Sequence, residues 1–264
     1  MKNYSKTATT AFLTLQIAVV VACNNARNNK SEASETTEIA KRTALADKNN
    51  DELKENKGMS YTILLMNVHD ERKYAEYRRK SSKIFKKAGG HLEREFNVVR
   101  IQNGGIDDIG EPNRALVLYY DMPDGDDKLL NNKEYQKIRP LMMESVRDLK
   151  VIKGTSEYFY QSESPEEERM YIMKISYYKE DQDGRLDMLK ETGRLLTPYG
   201  FHTERMITPN SAAGFDKPDE VSVHFHDNAE QNDELHKDEE AMQAIGDYNS
   251  KYISKFAYLV LKFR

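Results

Sequence analysis

Along residues 59–264 the apolar and polar positions fall into two rhythms, and the rhythms recur in the same order twice. Residues 61–68 (YTILLMNV) form a short apolar run of strand length. Tyr74, Tyr77, Ser81, Ile84, Phe85 and Ala88 follow at spacings near 3.6, which marks one face of a helix. Gly89-Gly90 ends that helix, because glycine takes the left-handed conformation at little cost. The pattern then predicts a strand over 91–102, a glycine-rich turn and a third strand over 115–120 (ALVLYY). A helix is predicted over 126–146, kinked at Pro140, which has no backbone N–H to donate. A last strand is predicted within 149–160.

After an acidic, proline-containing segment (163–168, ESPEEE) the series restarts. Residues 171–178 (YIMKISYY) read as a strand, and Leu186, Leu189, Gly193 and Leu196 as a helix ending near Tyr199-Gly200. Strands follow at 201–208 and 221–226 (VSVHFH). Met242, Ile245, Asn249 and Tyr252 mark the second helix, and 256–263 (FAYLVLKF) the last strand. The first strands and the first helix ends are offset by 110 residues; the third strands, each closed by an aspartate (Asp121 and Asp227), by 106. The order β-α-β-β-α-β is the ferredoxin-like unit, one antiparallel sheet with both helices on one face. The bare face must be covered. The expected fold is therefore α+β, with tandem ferredoxin-like repeats packed sheet to sheet as an intrachain dimeric barrel.

The first 57 residues follow neither rhythm. Lys2 and Lys6 precede a twelve-residue apolar run, 11–22 (AFLTLQIAVVVA), too short for a membrane span of about 20 residues but suited to a signal peptide. It ends in Val20-Val21-Ala22-Cys23, which resembles the bacterial lipobox. The resemblance implies a signal peptide over 1–22, lipidation with palmitate-type chains at Cys23, and a mature N-terminus there. Several acyl chains anchor firmly where one is marginal. Asn24 rather than Asp follows, which in Gram-negative lipoproteins implies the outer membrane, facing the periplasm. Residues 23–57 hold almost no large apolar side chains and read as a flexible tether reaching about 30 Å. The expected organisation is thus leader 1–22, tether 23–57, first repeat 58–161, linker 162–168 and second repeat 169–264.

Composition narrows the chemistry. The net charge is −4, and loss of 1–22 with its two lysines leaves −6. No long basic block or aromatic–basic interleaving occurs, which argues against a nucleic-acid partner. Cys23 is the sole cysteine, so an intrachain disulfide and a cysteine-based zinc site are ruled out.

Tyr74-Ala75-Glu76-Tyr77-Arg78, the helix end at Gly89-Gly90, and Asn132-Lys133-Glu134-Tyr135-Gln136 ahead of Arg139 give the first repeat a resemblance. It resembles the uncharacterised bacterial family catalogued as domain of unknown function 1330, within the dimeric α+β barrel superfamily. The second repeat shares the layout but not these motifs. The superfamily includes cofactor-free monooxygenases, haem-degrading enzymes and stress-response barrels. The resemblance thus implies a fold and a barrel pocket, but no reaction. The haem-degrading members depend on a tryptophan, and this chain has none. No cofactor is called for.

Strand side chains alternate between faces. We assign the apolar rows Met173/Ile175/Tyr177 and Val221/Val223/Phe225 to the helix side of the second sheet. That leaves Lys174/Ser176/Tyr178 and Ser222/His224/His226 facing the barrel interior, opposite Leu64/Met66/Val68 and Leu116/Leu118/Tyr120 of the first repeat. A few polar groups converging on an apolar background suit a small-molecule ligand. The expected ligand-binding residues are His224, His226, Tyr178, Lys174 and Tyr120. His224 and His226, two apart on a strand, could also share a metal with His202 or Glu204 as a third ligand, but the favoured expectation is no metal. The tyrosine rows Tyr74/Tyr77 and Tyr119/Tyr120 read as core. No nucleophile triad, phosphate loop or paired-carboxylate motif stands out, so catalytic residues stay unassigned. Three functional readings follow: a membrane-anchored protein binding a small ligand, a cofactor-independent monooxygenase-like enzyme using His224 or His226 as base, and an envelope interaction module.

Overall fold

A ferredoxin-like sheet exposes the backbone groups of two edge strands, and this chain satisfies both pairs of edges internally. The computed structural model describes residues 60–159 and 167–264. The expected leader, tether, lipidation site Cys23 and most of the expected linker lie outside the described residues. The first repeat comprises β1 (Ser60–Val68), α1 (Glu71–Lys87), β2 (Gly90–Gly104), β3 (Arg114–Tyr120), α2 (Gly125–Leu130), α3 (Lys133–Ser145) and β4 (Val146–Phe159). The second comprises β5 (Met170–Tyr178), α4 (Arg185–Leu196), a 3-10 turn (Thr197–Tyr199), β6 (Phe201–Ala213), β7 (Glu220–His226), α5 (Ala229–Leu235), α6 (Glu239–Tyr252) and β8 (Ile253–Phe263). Where one helix over 126–146 was expected, two form. Asn132 breaks the run: its side chain accepts from the Glu134 and Tyr135 backbone N–H groups and caps α3. Pro140 sits inside α3. Among the described residues no helix is long and apolar enough to cross a membrane.

The eight strands close into one antiparallel barrel in the order β1-β3-β2-β8-β5-β7-β6-β4. Each repeat contributes four neighbouring strands. The seams are β2 with β8, from Phe96↔Phe263 to Gly104↔Phe256, and β4 with β6, from Val151↔Ala213 to Phe159↔Arg205. Closure removes every free edge.

The faces are the reverse of those expected. Tyr61, Ile63 and Leu65 of β1 join Tyr171, Met173 and Ile175 of β5, Val221, Val223 and Phe225 of β7, and Leu259 and Leu261 of β8 in one buried cluster shared by both repeats. The row Met173/Ile175/Tyr177 therefore fills the barrel and does not underlie the helices. In the first repeat Leu64, Met66, Val68, Leu116 and Leu118 pack against Tyr74 of α1 and Met142 of α3, outside the barrel. Tyr120 likewise lies outside, its ring 5.4 Å from that of Phe85 on α1. The physical reason is solvation. A closed barrel of this size is filled by its own side chains, so its inner row is the more completely dehydrated of the two and takes the apolar residues.

Ile106 and Ile109, in the loop after β2, join the barrel core beyond one end. The other end, where β2 and β6 begin, holds ion pairs. Arg94 donates to Glu204 at 2.7 Å, and Arg205 pairs with Glu93. The two pairs are reciprocal, since Glu-Arg at 93–94 recurs as Glu-Arg at 204–205. A register shift between Leu92 and Arg94, matched by one between Thr203 and Arg205, marks a β-bulge in each strand. Each bulge turns both members of the dipeptide toward the opposite strand. The repeat extends further, to Gly-X-His-X-Glu-Arg at 89–94 and 200–205. Gly89 and Gly200 have φ of +74° and +61°, and their carbonyls accept from the Asp121 and Asp227 N–H groups. Those aspartates in turn hold His91 and His202.

Arg205 is 1% exposed. Its removal strands the half-buried Glu93 carboxylate, and breaking one partner of a buried pair typically costs about 3–5 kcal/mol. Arg205→Met should lower the unfolding free energy by that amount, read as a fall in the urea midpoint, and Glu93→Met/Arg205→Met should recover most of it. Equal midpoints for the single variant and the parent would show that the pair does not hold this end of the barrel.

Candidate functional site

The polar rows of the second repeat meet on the outer face of its sheet, beneath α4 and α6. Strand register fixes two adjacent rows there. Ser222, Lys174 and Tyr258 stand side by side across β7, β5 and β8, and His224, Ile172 and Val260 form the next row. The corresponding row of the first repeat is Leu116, Leu64 and Val151. Above it, three residues before the last residue of each covering helix, α3 carries Met142 and α6 carries Asn249. At four equivalent positions one repeat is wholly apolar and the other polar or amphipathic.

Lys174 is the centre of the cluster. Its ammonium donates to Asn249 Oδ1 at 3.0 Å and lies 5.1 and 5.6 Å from the ring centroids of Tyr248 and Tyr258. Asn249 Nδ2 donates to the Tyr258 hydroxyl at 3.0 Å. Burial penalises the charged form and pushes the Lys174 amine down to about 8; Glu220 opposes this and Arg185 adds to it.

His224 bridges two hydroxyls, Nε2 to Ser222 Oγ at 2.8 Å and Nδ1 to Thr203 Oγ1 at 3.0 Å, and stacks on Phe201 at 4.9 Å. Burial, with smaller contributions from Lys174 and His226, pushes it down to about 3. It is therefore a neutral ring that orients hydroxyls, and a poor proton acceptor. Tyr178 donates to Glu220 Oε2 at 2.6 Å and accepts from Arg185 Nη1 at 2.9 Å; Arg185 also donates to the Tyr248 hydroxyl. Burial, followed by the Glu220 charge, raises the Tyr178 phenol well above its ordinary value. Ser176 Oγ, in the next row, is buried without a hydrogen-bond partner among the described residues. Ile172, His224, Tyr258 and Val260 are only half-buried, so the helices do not seal this part of the sheet.

Of the five expected ligand residues, the fold gathers Lys174, Tyr178 and His224 on this face. His226 shares the face but is 1% exposed at its edge. Its Nδ1–H donates to the Tyr199 carbonyl at 3.1 Å. Tyr120 belongs to the first repeat and is not part of the cluster. The proposed metal partners do not converge either. His202 pairs across the strands with Phe225, on the inner face, and Glu204 is bound to Arg94. Among the described residues no cluster of three or more His, Cys, Asp or Glu could hold a metal ion. The rows named from sequence omitted Asn249, Tyr258, Arg185 and Glu220. Asn249 carried a signal, since a polar residue stood in the sheet-facing stripe of its helix; Arg185 and Glu220 carried none.

No protein-family model matches the chain, and no curated protein does. The solved structures it resembles include an anthrone oxidase-like protein, 14% identical with a TM-score of 0.51, covering 80% of this chain and 95% of that one. They also include a protein of Lactobacillus acidophilus NCFM described as a monooxygenase (15% identical, TM-score 0.47, 78% and 94% covered). A third is a mutant chlorite dismutase of Candidatus Nitrospira defluvii (11% identical, TM-score 0.48, 78% and 92% covered). At such identities the likeness concerns the fold alone. The chain has the dimeric α+β barrel fold, built from two repeats of one polypeptide.

A buried amine held below its ordinary value weakens the fold. Below pH 8 the folded state bears the cost of a dehydrated charge, which is relieved as pH rises to the unfolded value of about 10.4. Relative to Lys174→Met, the parent protein should therefore gain stability between about pH 8 and 10.4, by at most about 3 kcal/mol. Parallel urea curves for the two proteins across that range would refute the burial of a titrating amine.

Proposed function

We propose that the chain is a lipid-anchored envelope protein that binds a small organic molecule on the outer face of its second repeat. One observation carries the reading. The row Ser222–Lys174–Tyr258 with Asn249 above it replaces Leu116–Leu64–Val151 with Met142 on the same scaffold. At these four positions the first repeat packs its helices with apolar side chains alone. Dehydrating polar groups costs stability, and the exchange of a whole apolar row for polar side chains supports a site there. The barrel interior is the weaker candidate, because its inner row is occupied by Tyr61, Tyr171, Phe225 and their aliphatic neighbours.

A cofactor-independent oxidase or monooxygenase is the second reading. It is favoured by the Lys174 amine, whose value near neutral pH suits proton abstraction. The base would then be Lys174 and not His224 or His226. The shared fold of the anthrone oxidase-like protein is compatible with this second reading.

Exchanging the row for its counterpart, Lys174→Leu/Ser222→Leu/Tyr258→Val, tests the site. The variant should fold at least as stably and lose any small molecule that native mass spectrometry detects on the parent, together with any base-dependent oxygen uptake. Retention of the same molecule by the exchanged protein would move the site elsewhere. Anchoring is tested separately: Cys23→Ser should shift folded protein from the membrane to the soluble fraction. A variant that stays with the membrane would remove the anchor from the proposal.

A further inference from the structure

We propose that Lys174 is a carbonyl-capturing amine, condensing with an aldehyde or ketone carried by a small aromatic ligand. The inference rests on the site proposed above and names its substrate class. Among the described residues the Lys174 ammonium has a single hydrogen-bond acceptor, the neutral amide of Asn249. Among the described residues it takes part in no salt bridge with a carboxylate, the usual partner of a buried lysine. Tyr248 and Tyr258 present ring faces to it, and Ser222 stands beside it in the same strand row.

These features meet the requirements of imine formation. A free amine is the nucleophile, and the surroundings that dehydrate Lys174 favour that form. The nitrogen lone pair forms a bond to the carbonyl carbon, and the C=O π electrons become an alkoxide that takes up a proton. A second proton transfer lets the carbinolamine hydroxyl leave as water while the C=N bond forms. Amine and carbonyl thus become imine and water, with no oxidant or reductant. The Tyr258 hydroxyl accepts from Asn249, which leaves its own proton available to the developing oxygen. The half-buried His224 ring, Ile172 and Val260 offer an apolar and aromatic border to the captured group.

The test is reductive trapping on the full-length protein. Benzaldehyde at low concentration with cyanoborohydride, followed by peptide mapping, reads the benzyl group on each lysine. At pH 7 Lys174 should be modified about tenfold or more above any other lysine, since an amine near 8 is far more deprotonated than one at 10.4. Its rate should be half-maximal near pH 8. Lys174→Met should lose that one site and leave the remaining lysines unchanged, and Tyr258→Phe should slow trapping with the same pH midpoint. Modification spread evenly over surface lysines, with Lys174 no higher than the rest, would overturn the proposal. If that result came with a bound molecule that the row-exchanged variant loses, covalent capture would fail while the binding site stood. If the exchange changed nothing, both would fail.

Discussion

Edge pairing is the constraint on which the rest of this structure depends. A four-stranded ferredoxin-like sheet leaves two rows of backbone donors and acceptors unpaired, and buried or exposed these are a liability. The β2–β8 and β4–β6 seams satisfy both at once. Closure then dictates the core. Once the barrel exists its interior is a dehydrated volume filled from both repeats, and Tyr61, Tyr171 and Phe225 meet in it only because the seams bring them there. The reciprocal Glu93–Arg205 and Arg94–Glu204 pairs are a consequence of the same symmetry. A dipeptide duplicated 111 residues apart meets its own copy across the barrel.

Closure also releases the outer face of each sheet. With the inner faces supplying most of the shared apolar burial, the helix-covered faces can differ between repeats without loss of the fold. The first repeat keeps an apolar layer of Leu64, Met66, Leu116 and Met142. The second carries Lys174, Ser222, His224 and Asn249, joined by hydrogen bonds and ring faces. The two repeats thus differ in this row while sharing one barrel. A dehydrated amine is a destabilising feature that the apolar row of the first repeat avoids.

The electrostatics of that layer redistribute the roles that residue types suggest. Histidine is the usual proton acceptor at neutral pH, yet His224 is held neutral between two hydroxyls. Lysine is ordinarily a fixed charge, yet Lys174 sits where burial outweighs the opposing pull of Glu220. The identity of a side chain set its intrinsic chemistry, and its surroundings set which of the two groups can exchange a proton near neutral pH.

The sequence by itself determined the two β-α-β-β-α-β series, the offsets between them and the α+β barrel they build, because hydrophobic periodicity and glycine stops are local signals. It also marked Lys174, Tyr178 and His224 as one row set, because alternation along a strand is local too. Only the tertiary structure decided which face each row occupies. In YTILLMNV both rows are mainly apolar, and in YIMKISYY alternation separates the rows without saying which is the drier side. That depends on closure of the barrel, a long-range event. The same long-range pairing brought Asn249 and Tyr258 to Lys174, and Glu93 to Arg205, across separations that no local pattern encodes.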